Sequence, residues 1–313
     1  MTRSISISLV ASPLTTPILD GTVRLDGVAP KPHTAPSVDD NSRAMLRGDY
    51  DVAEMSLATF LRAKDRGAKL IGLPVFPGRR FVQPGIAVRT GSGIASPRGL
   101  AGRRVGLPQY WLTSSVWHRG VLAHEYGVTA DKVDWVTVVP ERGEAEFPRG
   151  VRVATKAGAK IPDLLASGEI DAALVPRPVT AKAYGPAAGP IFADAASAQR
   201  DYLKKTGIFP IMHFIVMREA LAAEEPGIAG TLSAAFEAAK RRALADPAQR
   251  AALEPPVHGM ANDAAIELFG GDPWPYGLAR NRAVLETFVA YAREQGLLQA
   301  PLALERLFVD VAG

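Results

Sequence analysis

Val105–Gly127, VGLPQYWLTSSVWHRGVLAHEYG, reads as a strand, a turn and the start of a helix. The run Arg104–Leu107 is a short buried-strand signal, and Pro108 turns the chain. Thr113, Ser114 and Ser115 then stand where a helix begins, and the apolar positions Val116, Trp117, Val121 and Leu122 continue at helical spacing. The first N–H groups of such a helix lack partners inside it and carry the positive end of its dipole, so hydroxyl residues there suit a carboxylate or phosphate. The plainer reading is that one hydroxyl only caps the helix.

Outward from this stretch, strand and helix signals alternate as in an α/β protein. Before it, strands are expected at Ile5–Val10, Asp51–Met55, Leu70–Val75 and Ile86–Arg89. Helices are expected over Val38–Arg47, ended by Gly48, and from a cap at Ser56 to Gly67. The strand from Leu70 should break at Phe76 and Pro77 into a loop Gly78, Arg79, Arg80, and residues 90–102, rich in Gly, Ser and Pro, read as a hinge. After it come strands Val133–Val139, Val151–Ala154 and Asp171–Val175, with Glu141–Arg149 as a charged loop. Helices Ile161–Ala166 and Ala195–Lys205, the strand Ile211–Met217 and three C-terminal helices from Gly227, Asn262 and Leu278 complete the chain. One α/β unit interrupted by another, with two crossings and a helical C-terminal region, is the organisation of a hinged two-lobed binding protein. The expected division is 1–90 with 207–313 as lobe 1, and 91–206 as an inserted lobe 2.

The 313 residues suffice for two domains, and 47% hydrophobic with 22% charged is a globular balance. A net charge of +4 without a basic block argues against nucleic acid and leaves a small acidic ligand as the better partner. Without cysteine there is no disulfide framework, thiolate metal site or cysteine nucleophile. Gly91, Gly93 and Gly99 have the wrong spacing for a dinucleotide or phosphate loop. The N-terminal MTRSISISLVASPL lacks the apolar core of a secretory signal, and no run is long enough to span a membrane, so the expected location is cytoplasmic.

Six blocks in order, DVAEMSLATFL (51–61), PVFPGRRF (74–81), GLPQYWLTSSVWHRGVLAHEYGV (106–128), SGEIDAAL (167–174), TGIFPIMH (206–213) and DPWPYGLARNR (272–282), together resemble the 4,5-dihydroxyphthalate decarboxylase family over nearly the whole chain. The resemblance implies a type II periplasmic-binding-protein-like fold with a small aromatic dicarboxylate between the lobes. It also implies cofactor-independent decarboxylation, above all of 4,5-dihydroxyphthalate to 3,4-dihydroxybenzoate (protocatechuate) and CO2, and assembly into a homo-oligomer. The alternative on the same fold is a non-catalytic solute-binding protein for a small organic anion.

The chemistry needs cations or N–H donors for the carboxylate that stays, and an acid over the ring carbon. His213, in TGIFPIMH, is the acid candidate, although a lone histidine in an apolar strand is otherwise a hydrogen-bonded core residue. Arg79 stands where the family's FPSR pattern places an arginine, and its fork suits a carboxylate; otherwise it forms a surface salt bridge. Arg80 beside it lies outside that pattern and is taken with it as substrate-binding. In DVAEMSLA, Glu54 either orients a histidine or arginine or sits in a buried salt bridge, and Ser56 donates to ligand or only caps. Thr113, Ser114 and Ser115 form the anion site with Arg119, which matches the family's arginine and otherwise pairs with an acid. Tyr110 and Trp111 either stack on an arene or cover the core, and Trp274, Pro275 and Tyr276 form a corner that mainly packs the C-terminal helix, the alternative being that Tyr276 reaches the cleft. His118 departs from the family, where the position is apolar. Metal-ligand spacings such as HxxxH are lacking, so no metal site is expected.

Overall fold

RSISISLV alternates Ser with Ile or Leu, and the alternation folds as expected: strand β1 (Arg3–Val10) buries Ile5, Ile7 and Leu9. The computed structural model describes residues 3–141, 146–300 and 302–311. Its contacts divide the chain into two compact α/β units, one of Met1–Arg80, Ile211–Thr287 and Ala300–Gly313, the other of Phe81–Pro210 and Phe288–Gln299.

The first unit continues with helix α1 (Thr16–Leu19), β2 (Val28–Ala35), α2 (Val38–Arg47), β3 (Val52–Ser56), α3 (Leu57–Asp65) and β4 (Leu70–Arg79). Helix α2 has the expected bounds because both ends are marked: Ser37 Oγ accepts from Asp40 N, and Gly48 takes a left-handed φ of 85°. The Pro-rich segment before α2 is strand β2, tolerated because it lies at the sheet edge. One expectation changes: β4 does not stop at Pro77 but runs through Arg79.

The second unit holds β5 (Ile86–Arg89), β6 (Arg104–Leu107), α4 (Thr113–Tyr126), β7 (Asp134–Thr137), β8 (Arg152–Thr155), α5 (Ile161–Ala166), β9 (Ala172–Leu174), α6 (Ala181–Tyr184), β10 (Ala188–Pro190) and α7 (Ala195–Thr206). Its sheet has the order β10-β5-β9-β6-β7-β8. Since β5 pairs only with β9 and β10, residues 86–89 go with this unit. Of the charged loop Glu141–Arg149, residues 142–145 lie outside the described residues.

The chain then returns to the first unit with β11 (Ile211–Arg218), α8 (Glu219–Glu224), α9 (Ile228–Ala245), α10 (Pro247–Ala252), α11 (Asn262–Leu268) and α12 (Leu278–Glu294), whose last turns belong to the second unit. The first sheet has the order β2-β1-β3-β11-β4, parallel from β2 to β3, with β11 antiparallel to both neighbours. Helix α9 lays Leu232, Phe236, Ala239 and Ala243, spaced four, three and four, into the core with Leu73, Val75 and Ile215. No helix among the described residues is long and apolar enough to cross a membrane.

Candidate functional site

Three neighbouring strands gather one set of candidates in the first unit. The register of β11 sets His213 opposite Ser56 of β3 on one side and Gly78 of β4 on the other. Glu54 precedes Ser56 by two residues, so its side chain leaves the strand on the same face. Its Oε1 lies 3.5 Å from His213 Nδ1, while Oε2 accepts from Val10 N at 3.2 Å. A buried carboxylate tied to one backbone N–H thus faces one ring nitrogen, which favours the proton on Nδ1 and leaves Nε2 for exchange. The imidazole is 30% exposed, enough for a ligand to touch it. Ser56 precedes the first turn of α3; its N donates to Ser42 Oγ at 3.1 Å, and its hydroxyl makes no capping bond.

Arg79 closes β4 opposite Ile211 and is buried rather than on a surface loop. Its Nη2 donates to Pro275 O at 3.2 Å and to Asn281 Oδ1, and the guanidinium stands 5.6 Å from the Phe76 ring. Burial pushes its pKa down to about 9, against the pull of Tyr276 and Asp272, so it is still a cation at neutral pH. The corner that holds it is braced in turn. Asn281 Nδ2 donates to Pro275 O and Gly277 O, Gly277 N donates to Pro74 O, and the buried Lys240 Nζ reaches Asp272 Oδ2 at 2.8 Å and Trp274 O at 3.0 Å. Trp274–Tyr276, expected mainly to pack a helix, is therefore also the seat of Arg79. Arg80 points elsewhere, fork to fork with Glu254 through two contacts of 2.6 Å.

The second unit carries the other candidates. Thr113, Ser114 and Ser115 are the first residues inside α4, and the cap position is Leu112, which has no side-chain oxygen to offer. No hydroxyl caps this helix, which leaves its leading N–H groups as a positive end. Arg119, one turn after Ser115 and 2% exposed, lays its guanidinium 3.5 Å from the Tyr110 ring centre, with Trp135 at 5.7 Å. It sits over the ring face rather than in line with the hydroxyl, so the contact is cation–π, and its three nitrogens make no hydrogen bond among the described residues. Burial lowers its pKa, and Tyr110 and Glu141 oppose the shift. The Glu141 carboxylate accepts from the backbone N–H groups of Tyr110 and, at 3.4 Å, Trp111. Tyr110 is fully buried, edge-on to Trp111 and Phe147, so it belongs to this aromatic cluster. His118 is also buried, with Nδ1 2.7 Å from Ser114 O and Nε2 2.8 Å from Val82 O.

Asn281, Lys240 and Gly78 carry no sequence signal of their part. Asn281 lies in the block DPWPYGLARNR and Gly78 in PVFPGRRF, each without an evident role there, and the contacts that give Lys240 and Gly78 their part, to Asp272 and His213, lie 32 and 135 residues away in the chain. Among the described residues, no group of three or more His, Cys, Asp or Glu could hold a metal ion.

Two such α/β units, each with a mixed sheet, define a periplasmic-binding-protein-like protein. A family profile described as ABC transporter, phosphonate, periplasmic substrate-binding protein matches residues 22–258. Among solved structures, the periplasmic aliphatic sulphonate binding protein SsuA from Escherichia coli aligns with a TM-score of 0.59 at 13% identity, covering 99% of this chain and 93% of that one, a likeness of fold alone. A 4,5-dihydroxyphthalate decarboxylase of Comamonas testosteroni is 35% identical over 304 residues, 93% of this chain and 92% of the relative. One of Pseudomonas putida is 33% identical over 201 residues, 60% of this chain and 76% of the relative. The chain belongs to the 4,5-dihydroxyphthalate decarboxylase family, a family of carboxy-lyases.

Proposed function

We propose that this protein removes one carboxylate of a hydroxylated aromatic dicarboxylate, above all converting 4,5-dihydroxyphthalate to 3,4-dihydroxybenzoate and CO2. The observation that carries the reading is the row across β3, β11 and β4, where Glu54 stands beside His213 and Arg79 lies one residue beyond the strand position facing that histidine.

The protonated imidazole delivers its Nε2 proton to the ring carbon that bears the departing carboxylate, and the hydroxyl para to that carbon supplies electron density to the dearomatised intermediate. The bond to the carboxylate then breaks, CO2 leaves, and the electron pair restores the ring. The imidazole recovers a proton from solvent, so the balance is one carboxylate and one proton in, one arene hydrogen and one CO2 out. Glu54 holds the ring in place, and Arg79 binds a substrate carboxylate through its fork. Within the second unit, Thr113, Ser114, Ser115 and Arg119 are the candidates for anion binding, with Tyr110 acting through its contact with Arg119. Arg80, engaged by Glu254, takes at most an electrostatic part. These steps call for no electron transfer and no Schiff base.

Anaerobic incubation of the purified, chelator-treated protein with 4,5-dihydroxyphthalate, with CO2 and 3,4-dihydroxybenzoate followed by chromatography, tests the reading. Stoichiometric formation of both is expected. The second reading, a solute-binding protein for a small organic anion, is favoured by the description of the matching family profile. Tight calorimetric binding of the same compound without turnover would select it.

A further inference from the structure

Gly78 is not a glycine for the sake of its backbone. It is absent from the glycines with positive φ, so the chain there has a conformation open to any residue. What excludes a side chain is the ring across the ladder: a Cβ on Gly78 would lie 2.7 Å from His213 Cβ, 2.7 Å from Nδ1 and 2.9 Å from Cγ. Directly opposed residues of antiparallel strands ordinarily keep their Cβ atoms about 4.5–5.5 Å apart, so the imidazole occupies the space that a side chain at 78 would take.

The ladder is built around this overlap. Its register runs Ile211 to Arg79, His213 to Gly78 and Ile215 to Leu73, with irregularities on both sides of His213. Between Gly78 and Leu73 the strand carries Pro74, Val75, Phe76 and Pro77 against the single residue Phe214, a bulge that re-aims the end of β4. The ring therefore lies over the Gly78 Cα with Nδ1 toward Glu54, and no other hydrogen bond or ion pair holds it among the described residues.

We propose that Gly78 is a positioning residue of the decarboxylation: by presenting no side chain it lets His213 lie across β4 in the one orientation that keeps Nδ1 on Glu54 and turns Nε2 outward. The inference rests on His213 as the proton donor. A methyl group at 78 would lift the ring off the strand and away from the carboxylate, and a displacement of about 1 Å costs on the order of a hundredfold in a positioned reaction.

The test is a double-mutant cycle between Gly78→Ala and His213→Ala in the full-length protein, read by thermal unfolding, by turnover and by the imidazole nitrogen NMR shifts that report which ring nitrogen carries the proton. In the wild-type background, Gly78→Ala should lower kcat about a hundredfold with a much smaller change in KM. It should also turn a ring held mainly in the Nδ1–H form into a tautomer mixture. In the His213→Ala background the same substitution should cost less stability, because the ring is gone and only the contact with the Cβ at 213 remains. Equal losses of stability in both backgrounds, or an unchanged tautomer signature in Gly78→Ala, would overturn the inference. Failure of the wild-type protein to turn over overturns the functional reading instead, and the stability cycle and NMR still decide what Gly78 does for the ring.

Discussion

His213 and His118 are chemically the same side chain put to opposite uses by their surroundings. His213 faces a carboxylate and solvent, and His118 faces two carbonyl oxygens in the core. If His213 is the proton donor, His213→Asn should remove turnover while calorimetric binding of 4,5-dihydroxyphthalate stays within a few fold, since the amide keeps polarity without a transferable proton. Full turnover by that variant would end the assignment. For His118, burial outweighs the two carbonyl contacts and pushes its pKa to about 4, so the ring is neutral and donates its one N–H to one of them. Its unfolded value is about 6.5, hence the unfolded chain takes up a proton between roughly pH 6.5 and 4 that the folded chain refuses. This contribution to stability is whole above that window and falls as pH drops through it, by about 1.4 kcal/mol per pH unit. Urea midpoints measured across pH 4–7.5 should show the slope, and His118→Gln should flatten it.

At the scale of elements, the features legible in the sequence are those that short-range chemistry marks. Ser37 and Gly48 delimit α2, and the alternation in β1 names its buried face. The set of Glu54, Ser56 and His213 can be singled out because each stands in a distinctive block. Legibility ends where long-range pairing decides: β4 passes through Pro77 because β11 lies alongside it, and Arg79 becomes a buried cation because Pro275 and Asn281 arrive from some two hundred residues on. The helix starts at Thr113 as expected, but its cap is Leu112, since the chain enters α4 one residue before the hydroxyls. Gly120 shows the same limit. It reads as a weak point in α4, yet a Cβ there would meet Tyr291 Cδ2 of α12 at 1.9 Å. Gly120→Ala is therefore expected to cost about 1–3 kcal/mol by overpacking, seen as a lower urea midpoint, and Tyr291→Ala should absorb most of that loss. Undiminished stability of the single variant would mean that the two helices separate readily.

For the whole molecule, the second unit is completed by a segment far along the chain. Trp117 of α4 packs on Phe288 at 5.1 Å and Tyr291 at 5.6 Å, and Gln295 Nε2 donates to Val116 O at 2.9 Å. Phe288 is fully buried, so Phe288→Ala should cost about 3–5 kcal/mol. If the units are separate cooperative blocks, hydrogen exchange will speed up in α4 and β6 while β1, β3 and β11 keep their protection. Equal acceleration in both units would instead identify a single cooperative block.

The position of β11 bears on how the chain folds as it leaves the ribosome. Strand β4 is an edge strand whose one neighbour within the sheet is β11. A nascent chain that has emerged only as far as Arg80 thus exposes the apolar segment LIGLPVF with its ladder in the sheet wholly unmade, and about 130 more residues must emerge before its partner appears. At about 5–20 residues per second that wait is roughly 7–26 s. During it most of the second unit can form while the first remains open, with an unpaired apolar edge that invites pairing with neighbouring chains. Translation speed between codons 80 and 218, rather than the stability of the finished protein, is then what governs how much of it reaches the native state.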